Sequence, residues 1–80
     1  MTHTILRLPA VKAATGLSRS TLYLRIAHGF FTHPVSLGGR TVGWPAHEVA
    51  ALNAARIAGK PDTEISALVV QLEAARKAVA

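Results

Sequence analysis

Apolar positions recur along this chain at helical spacing, then in alternation, then at helical spacing again. Val11 and Ala14 mark the inward side of a short helix over Pro9 to Thr15, opened by a proline whose missing N–H would be unpaired in a first turn anyway. Gly16 stops it. Leu22 and Ile26, one turn apart, give a second helix its buried stripe. Ser18 suits the N-cap of that helix, because its hydroxyl accepts from a free amide two or three residues on. The helix is expected to end near His28, with Gly29 as a left-handed cap.

The period then shortens. In "PVSLGGRTVGW", Val35 and Leu37 alternate on one arm and Val42 and Trp44 on the other, around Gly38 and Gly39. A two-residue glycine turn matches the twist of a hairpin, and in that register Val35 faces Val42, Ser36 faces Thr41 and Arg40 stands at the tip. Pro45 starts a third helix with Val49, Leu52 and Ile57 inward, ended by Gly59, Lys60 and Pro61. Asp62 is expected to cap a fourth helix, whose Ile65, Leu68, Leu72, Ala75 and Val79 form a narrow seam. That seam fits packing on its own domain and pairing with a second copy equally well. The pattern divides the chain into a loose N-terminal end (residues 1–4), a first unit (5–58) and a C-terminal helix (62–80) for packing or oligomerisation. The fold class is mainly α with a small β-hairpin.

Eighty residues allow one modest core. Half of them are apolar but only 5% are aromatic, which favours helices with small buried side chains over a large sheet. Nine Lys and Arg against four Asp and Glu leave a net charge of +5, the sign of a chain that meets a polyanion. Cysteine is absent, which suits a reducing cytoplasm and removes disulfide and thiolate-metal frameworks. No apolar run approaches the ~18 residues of a membrane span, so the expected setting is cytoplasmic, with no membrane partner.

Catalytic chemistry finds few candidates. An acid or base would have to come from Asp62, or from Glu48 with His47, and neither neighbours a serine in a strained turn. Gly38 and Gly43 are spaced like the ends of a phosphate loop, but Trp44 and Pro45 stand where its Lys and Ser or Thr belong. His28 and His33 straddle a turn, His3 lies in the tail, and His47 has no partner one turn on, so no metal-ligand spacing emerges. The sequence reads as a non-enzyme without cofactor or metal.

What is present is a short helix, a glycine turn and a second helix, the layout of a helix-turn-helix whose second helix enters the major groove. The stretch "GLSRSTLYLR" places Ser18, Arg19, Ser20 and Thr21 at the cap and first turn of that helix, where free amides and the helix dipole favour phosphate. Arg19 and Arg25 carry forks that pair with guanine or clamp a phosphate, and Tyr23 and Leu24 fall on outward or flanking faces. The hairpin then serves as a wing, with Arg40 placed for a phosphate or a narrow minor groove. Each residue also has a structural role open to it: a cap for Ser18, a bond within its own helix for Thr21, packing for Tyr23.

"RLPAVKAATGLSRSTLYLRI", followed by "HPVSLGGRTVGW" and an "EV" helix, resembles the AlpA family of small phage and mobile-element regulators from about Arg7 to Leu52. The resemblance implies a winged helix-turn-helix, related to excisionases and MerR regulators, with an additional C-terminal helix. It implies double-stranded DNA contacts by Ser18, Arg19, Ser20, Thr21 and Tyr23, with Arg40 on the wing. It also implies a bacterial or phage-encoded transcription regulator or excisionase, that is, a recombination directionality factor. An integrase or RNA polymerase, and self-association on DNA or through the C-terminal helix, are the protein partners such a role brings. Here "TLYLRI" stands where the family pattern would have "TLYRLI", which moves a basic side chain to Arg25 and leaves Leu24 outward. The wing region has Phe30, Thr32, His33 and Ser36 where the family usually carries basic residues. The rival class is a protein-interaction adaptor or anti-repressor, working through Leu24 and the C-terminal seam.

Overall fold

A computed structural model describes residues 3–78. In chain order it contains β1 (Ile5–Leu6), α1 (Leu8–Thr15), α2 (Arg19–Ala27), β2 (Val35–Ser36), β3 (Val42–Pro45), α3 (Ala46–Ile57), α4 (Asp62–Ala75) and a 3-10 turn (Arg76–Ala78). The architecture is mainly α with a small antiparallel sheet ordered β1-β3-β2, a winged helix-turn-helix-like arrangement. No helix among the described residues is long and apolar enough to cross a membrane.

The sheet departs from the expected pairing in two ways. First, Ile5 and Leu6 add a strand that the sequence pattern did not announce, pairing with Pro45 and Trp44. Thr4, assigned to the loose end, has its carbonyl bonded to the Ala46 amide at 2.8 Å. Second, the hairpin register is shifted by one: Val35 faces Gly43 and Ser36 faces Val42, rather than Val35 facing Val42 and Ser36 facing Thr41. The loop holds Gly38, Gly39 and Arg40, closed by Leu37 N to Thr41 O at 2.8 Å and Thr41 N to Gly38 O at 3.0 Å. Both loop glycines sit at positive φ, which lets three residues reverse the chain where two were expected.

Gly43 explains how closely β1 and β3 can pair. A Cβ there would lie 2.5 Å from Ile5 Cγ2 and 2.9 Å from the Leu6 carbonyl, so only a bare backbone lets β1 lie this close across β3. A slip of one residue would turn Trp44 out of the core and put a side chain under Ile5.

Trp44, Leu22, Val11 and Ile65 are fully buried and hold the centre of a single cluster. The indole N–H of Trp44 donates to the Thr32 carbonyl at 2.9 Å, so the largest buried side chain carries no unmet donor. Val49 and Leu52 face this core as expected. Three expected inward positions do not: Ala14 and Ala75 are exposed, and Ile57, whose neighbour two residues back, Ala55, packs on the core, is 87% exposed. Asp62 is the first helical residue of α4 rather than its cap; Pro61 holds that place, and Asp62 instead bonds Arg56 at 3.2 Å. Along α4, Ile65 and Val69 are buried while Leu68 and Leu72 pack partly against the core, so this stripe faces its own chain. Val79, the last position of the expected seam, lies outside the described residues, as do Met1, Thr2 and Ala80.

A polar clasp fixes the end of α4. Glu48, wholly buried, accepts from Arg76 Nη2 at 2.6 Å and from Nε at 2.8 Å, and the same Nη2 donates to the His33 carbonyl at 2.6 Å. Glu73 Oε2 accepts from the His33 amide at 2.7 Å and lies 2.9 Å from its Nδ1. Partial burial alone would push the Glu73 carboxyl up, but the bonds from His33, joined by the charges of His33 and Arg76, outweigh it and hold the group below its ordinary value. For Arg76 the bond to Glu48 raises the pKa, against a smaller opposing effect of burial. Glu48 is thereby spent on structure: both its oxygens are taken by Arg76, which dissolves the pairing with His47 that the sequence allowed.

Candidate nucleic-acid interface

Thr15, Gly16, Leu17 and Ser18 make the turn between α1 and α2. Gly16 ends α1 at φ +72°, its amide bonded to the Lys12 carbonyl at 2.8 Å. The Thr15 hydroxyl donates back to Val11 O at 2.8 Å and accepts from the Leu17 amide at 3.3 Å, which braces the reversal. Leu17 packs against the core, and Asn53 Nδ2 donates to the Ala14 carbonyl at 2.9 Å, tying α3 to the end of α1. The turn is braced from within, and α1 is tied to α3 beside it.

Ser18 is the N-cap of α2, as expected: its Oγ accepts from the Thr21 amide at 3.3 Å. It also donates to Thr21 Oγ1 at 3.0 Å and lies 3.3 Å from Ser20 Oγ, so three hydroxyls form one exposed cluster. Helix geometry gives the first-turn amides no intrahelical partner; Ser18 satisfies that of Thr21, and those of Arg19 and Ser20 point outward with the positive end of the dipole. This is a surface made of donors.

The rest of α2 sorts by angle. At about 100° per residue, Leu22 and Ile26 face inward, and Ser20, Leu24 and Ala27 lie along the opposite side. Tyr23 holds one flank, 37% exposed, its ring edge-on to Trp44 at 6.3 Å, and the Arg19 guanidinium lies 5.7 Å from the Tyr23 centroid. Arg25 holds the other flank. It lines a cleft of about 230 Å³ with Thr15, Phe30, Asn53 and Arg56, and the Arg56 guanidinium stands 5.9 Å from the Phe30 ring.

The predicted site residues thus fall into four places: Ser18, Ser20 and Thr21 at the helix start, Arg19 with Tyr23 on one flank, Arg25 on the other, and Arg40 in the hairpin loop. Arg19, Arg25 and Arg40 take part in no ion pair among the described residues. Arg56 and Asn53 were not anticipated. Their only sequence signal is a position one turn apart on α3, and it is the packing of Phe30 that brings them to Arg25. His3 and His47 meet edge to face at 6.4 Å, and among the described residues no third metal-ligating side chain joins them. The arrangement offers hydrogen-bond donors, fixed positive charge and one apolar side chain, and no activated nucleophile.

Comparison with known proteins places this surface in context. The family described as prophage CP4-57 regulatory protein (AlpA) matches residues 4–56, a span that includes α1, α2 and the sheet. An uncharacterized protein, ORF88, of Enterobacteria phage P4 is 53% identical over 55 residues, which cover 69% of this chain and 62% of that protein. No solved structure matches the chain significantly.

Proposed function

This chain belongs to the AlpA family of prophage regulatory proteins, and on that premise we propose that it is a sequence-specific double-stranded DNA-binding regulator of a mobile element. The observation that carries the reading is the start of α2: an exposed hydroxyl cluster, unpaired first-turn amides and unpaired arginines on a helix joined to α1 by a turn that Gly16 and the Thr15 hydroxyl brace. α2 enters the major groove, with Ser18, Arg19, Ser20, Thr21 and Tyr23 against phosphates and base edges and Arg25 on the groove wall. The hairpin is the wing, and Arg40 meets a neighbouring phosphate or the minor groove. Bound at a promoter such a protein regulates transcription beside RNA polymerase; bound in clusters at an attachment site, bending the duplex, it directs an integrase to excise.

Fluorescence anisotropy with duplexes from the parent element's control region and attachment site tests the reading. Affinity should fall steeply with salt, with a log-log slope of about −4 if about five phosphates are neutralised. Arg19→Ala and Arg40→Ala should each weaken binding, by roughly 1 to 3 kcal/mol where the contact is bidentate. Salt-insensitive or absent binding would favour the adaptor instead. Permuted-fragment gel shifts separate the two roles, because one unbent complex fits a promoter regulator and not an excision factor.

A further inference from the structure

We infer that the middle of α2's outward face reads thymine through its 5-methyl group, and that Leu24 is the reading side chain. The inference rests on the DNA-binding reading above. Leu24 is 55% exposed at the centre of that face; of its neighbours one turn away Ser20, Thr21 and Ala27 are short, and His28 sets its ring edge-on to Phe30 at 6.2 Å. It stands proud of the helix. Every long polar side chain on α2 is held to a flank: Arg19 over Tyr23, itself against Trp44, and Arg25 in the cleft with Phe30.

That division of labour matches a major groove. Its walls are phosphate, which the flanking arginines fit by charge, and its floor is base edges. Leucine neither donates nor accepts a hydrogen bond. Pressed against a G·C pair it would desolvate O6, N7 and N4 without replacing their water, at a cost that selects against such a site. Among groups on the floor, the thymine methyl is the apolar one, and contact with it is favourable for the same reason that burial of any methyl is. Specificity at the centre of the site therefore comes from apolar fit rather than from an arginine fork. The net charge of +5 supplies attraction to the duplex and leaves this position free to discriminate.

The test begins by selecting tight sites for the full chain from a random duplex library. Each thymine of the best duplex is then replaced, singly, by deoxyuridine, which removes only the methyl. The wild-type chain should lose about fourfold in affinity at one or two positions, the value of one buried methyl group. Leu24→Ala, a surface change to a good helix former, should bind thymine and uracil alike at those positions and keep the wild-type salt slope. Uracil tolerated everywhere by the wild type, or full discrimination retained by Leu24→Ala, would overturn the inference while leaving DNA binding intact. A library from which no sequence is enriched would overturn both.

Discussion

Glu48 and Arg76, separated by 28 residues in sequence, are joined by two hydrogen bonds of 2.6 and 2.8 Å around a carboxylate that solvent does not reach. Glu48 lies within the residues matched by the AlpA family and Arg76 beyond them. The end of the last helix thus supplies the cation that a buried acid of the family-matched region requires, and the same guanidinium bonds the His33 carbonyl just before β2. Truncation before Arg76 removes more than a tail.

Arg76→Ala should destabilise the fold by about 3 kcal/mol in urea unfolding, because it strands a buried charge. The double variant Glu48→Leu with Arg76→Met should recover most of that loss, since an apolar pair avoids the desolvation cost altogether. A single variant as stable as the wild type would show that water or another group satisfies Glu48.

Glu73 makes stability depend on pH in a defined direction. Its folded pKa is lowered, by the bonds from His33 and the charge of Arg76, below the value it has unfolded. Its contribution is therefore complete above the unfolded value and lost as pH falls through the folded one, a window that opens below roughly pH 5. The stability gap between the wild type and Glu73→Gln should shrink as pH falls through that window. A gap that widens as pH falls below about 5 would contradict the sign.

Gly43→Ala tests the close approach of β1 to β3. The added Cβ meets the Leu6 backbone carbonyl, which cannot swing aside as the Ile5 side chain can. A loss of about 1 to 3 kcal/mol is expected from this overpacking, read as a drop in Tm. The thermal transition should also broaden if β1 lifts away from β3.

What was legible in the sequence was governed by local rules. The cap at Ser18, the stripe of Leu22 and Ile26, and the left-handed Gly29 follow from side chains within one or two turns, and the structure repeats them. β1 was illegible because two residues carry no period; it exists only because β3 offers an edge. The hairpin register followed from a three-residue loop with Gly38 and Gly39 at positive φ where two residues were expected. Glu48 reads as a solvated helix charge until Arg76 is known to reach it, and Ile57 reads as core until Ala55 is seen to take the inward side of that turn. At the candidate interface, the hydroxyl cluster was readable from spacing, whereas the cleft that Arg25 lines waited on Phe30 and Arg56.

The central claim is that the start of α2 is the surface that meets DNA. Titrating ¹⁵N-labelled protein with a tightly bound duplex, and following every backbone amide by NMR, tests it most directly. The largest shifts should fall on residues 18–24, with a second set at Arg40 in the hairpin loop. Shifts confined to α4, with the amides of Arg19, Ser20 and Thr21 unmoved, would contradict the account.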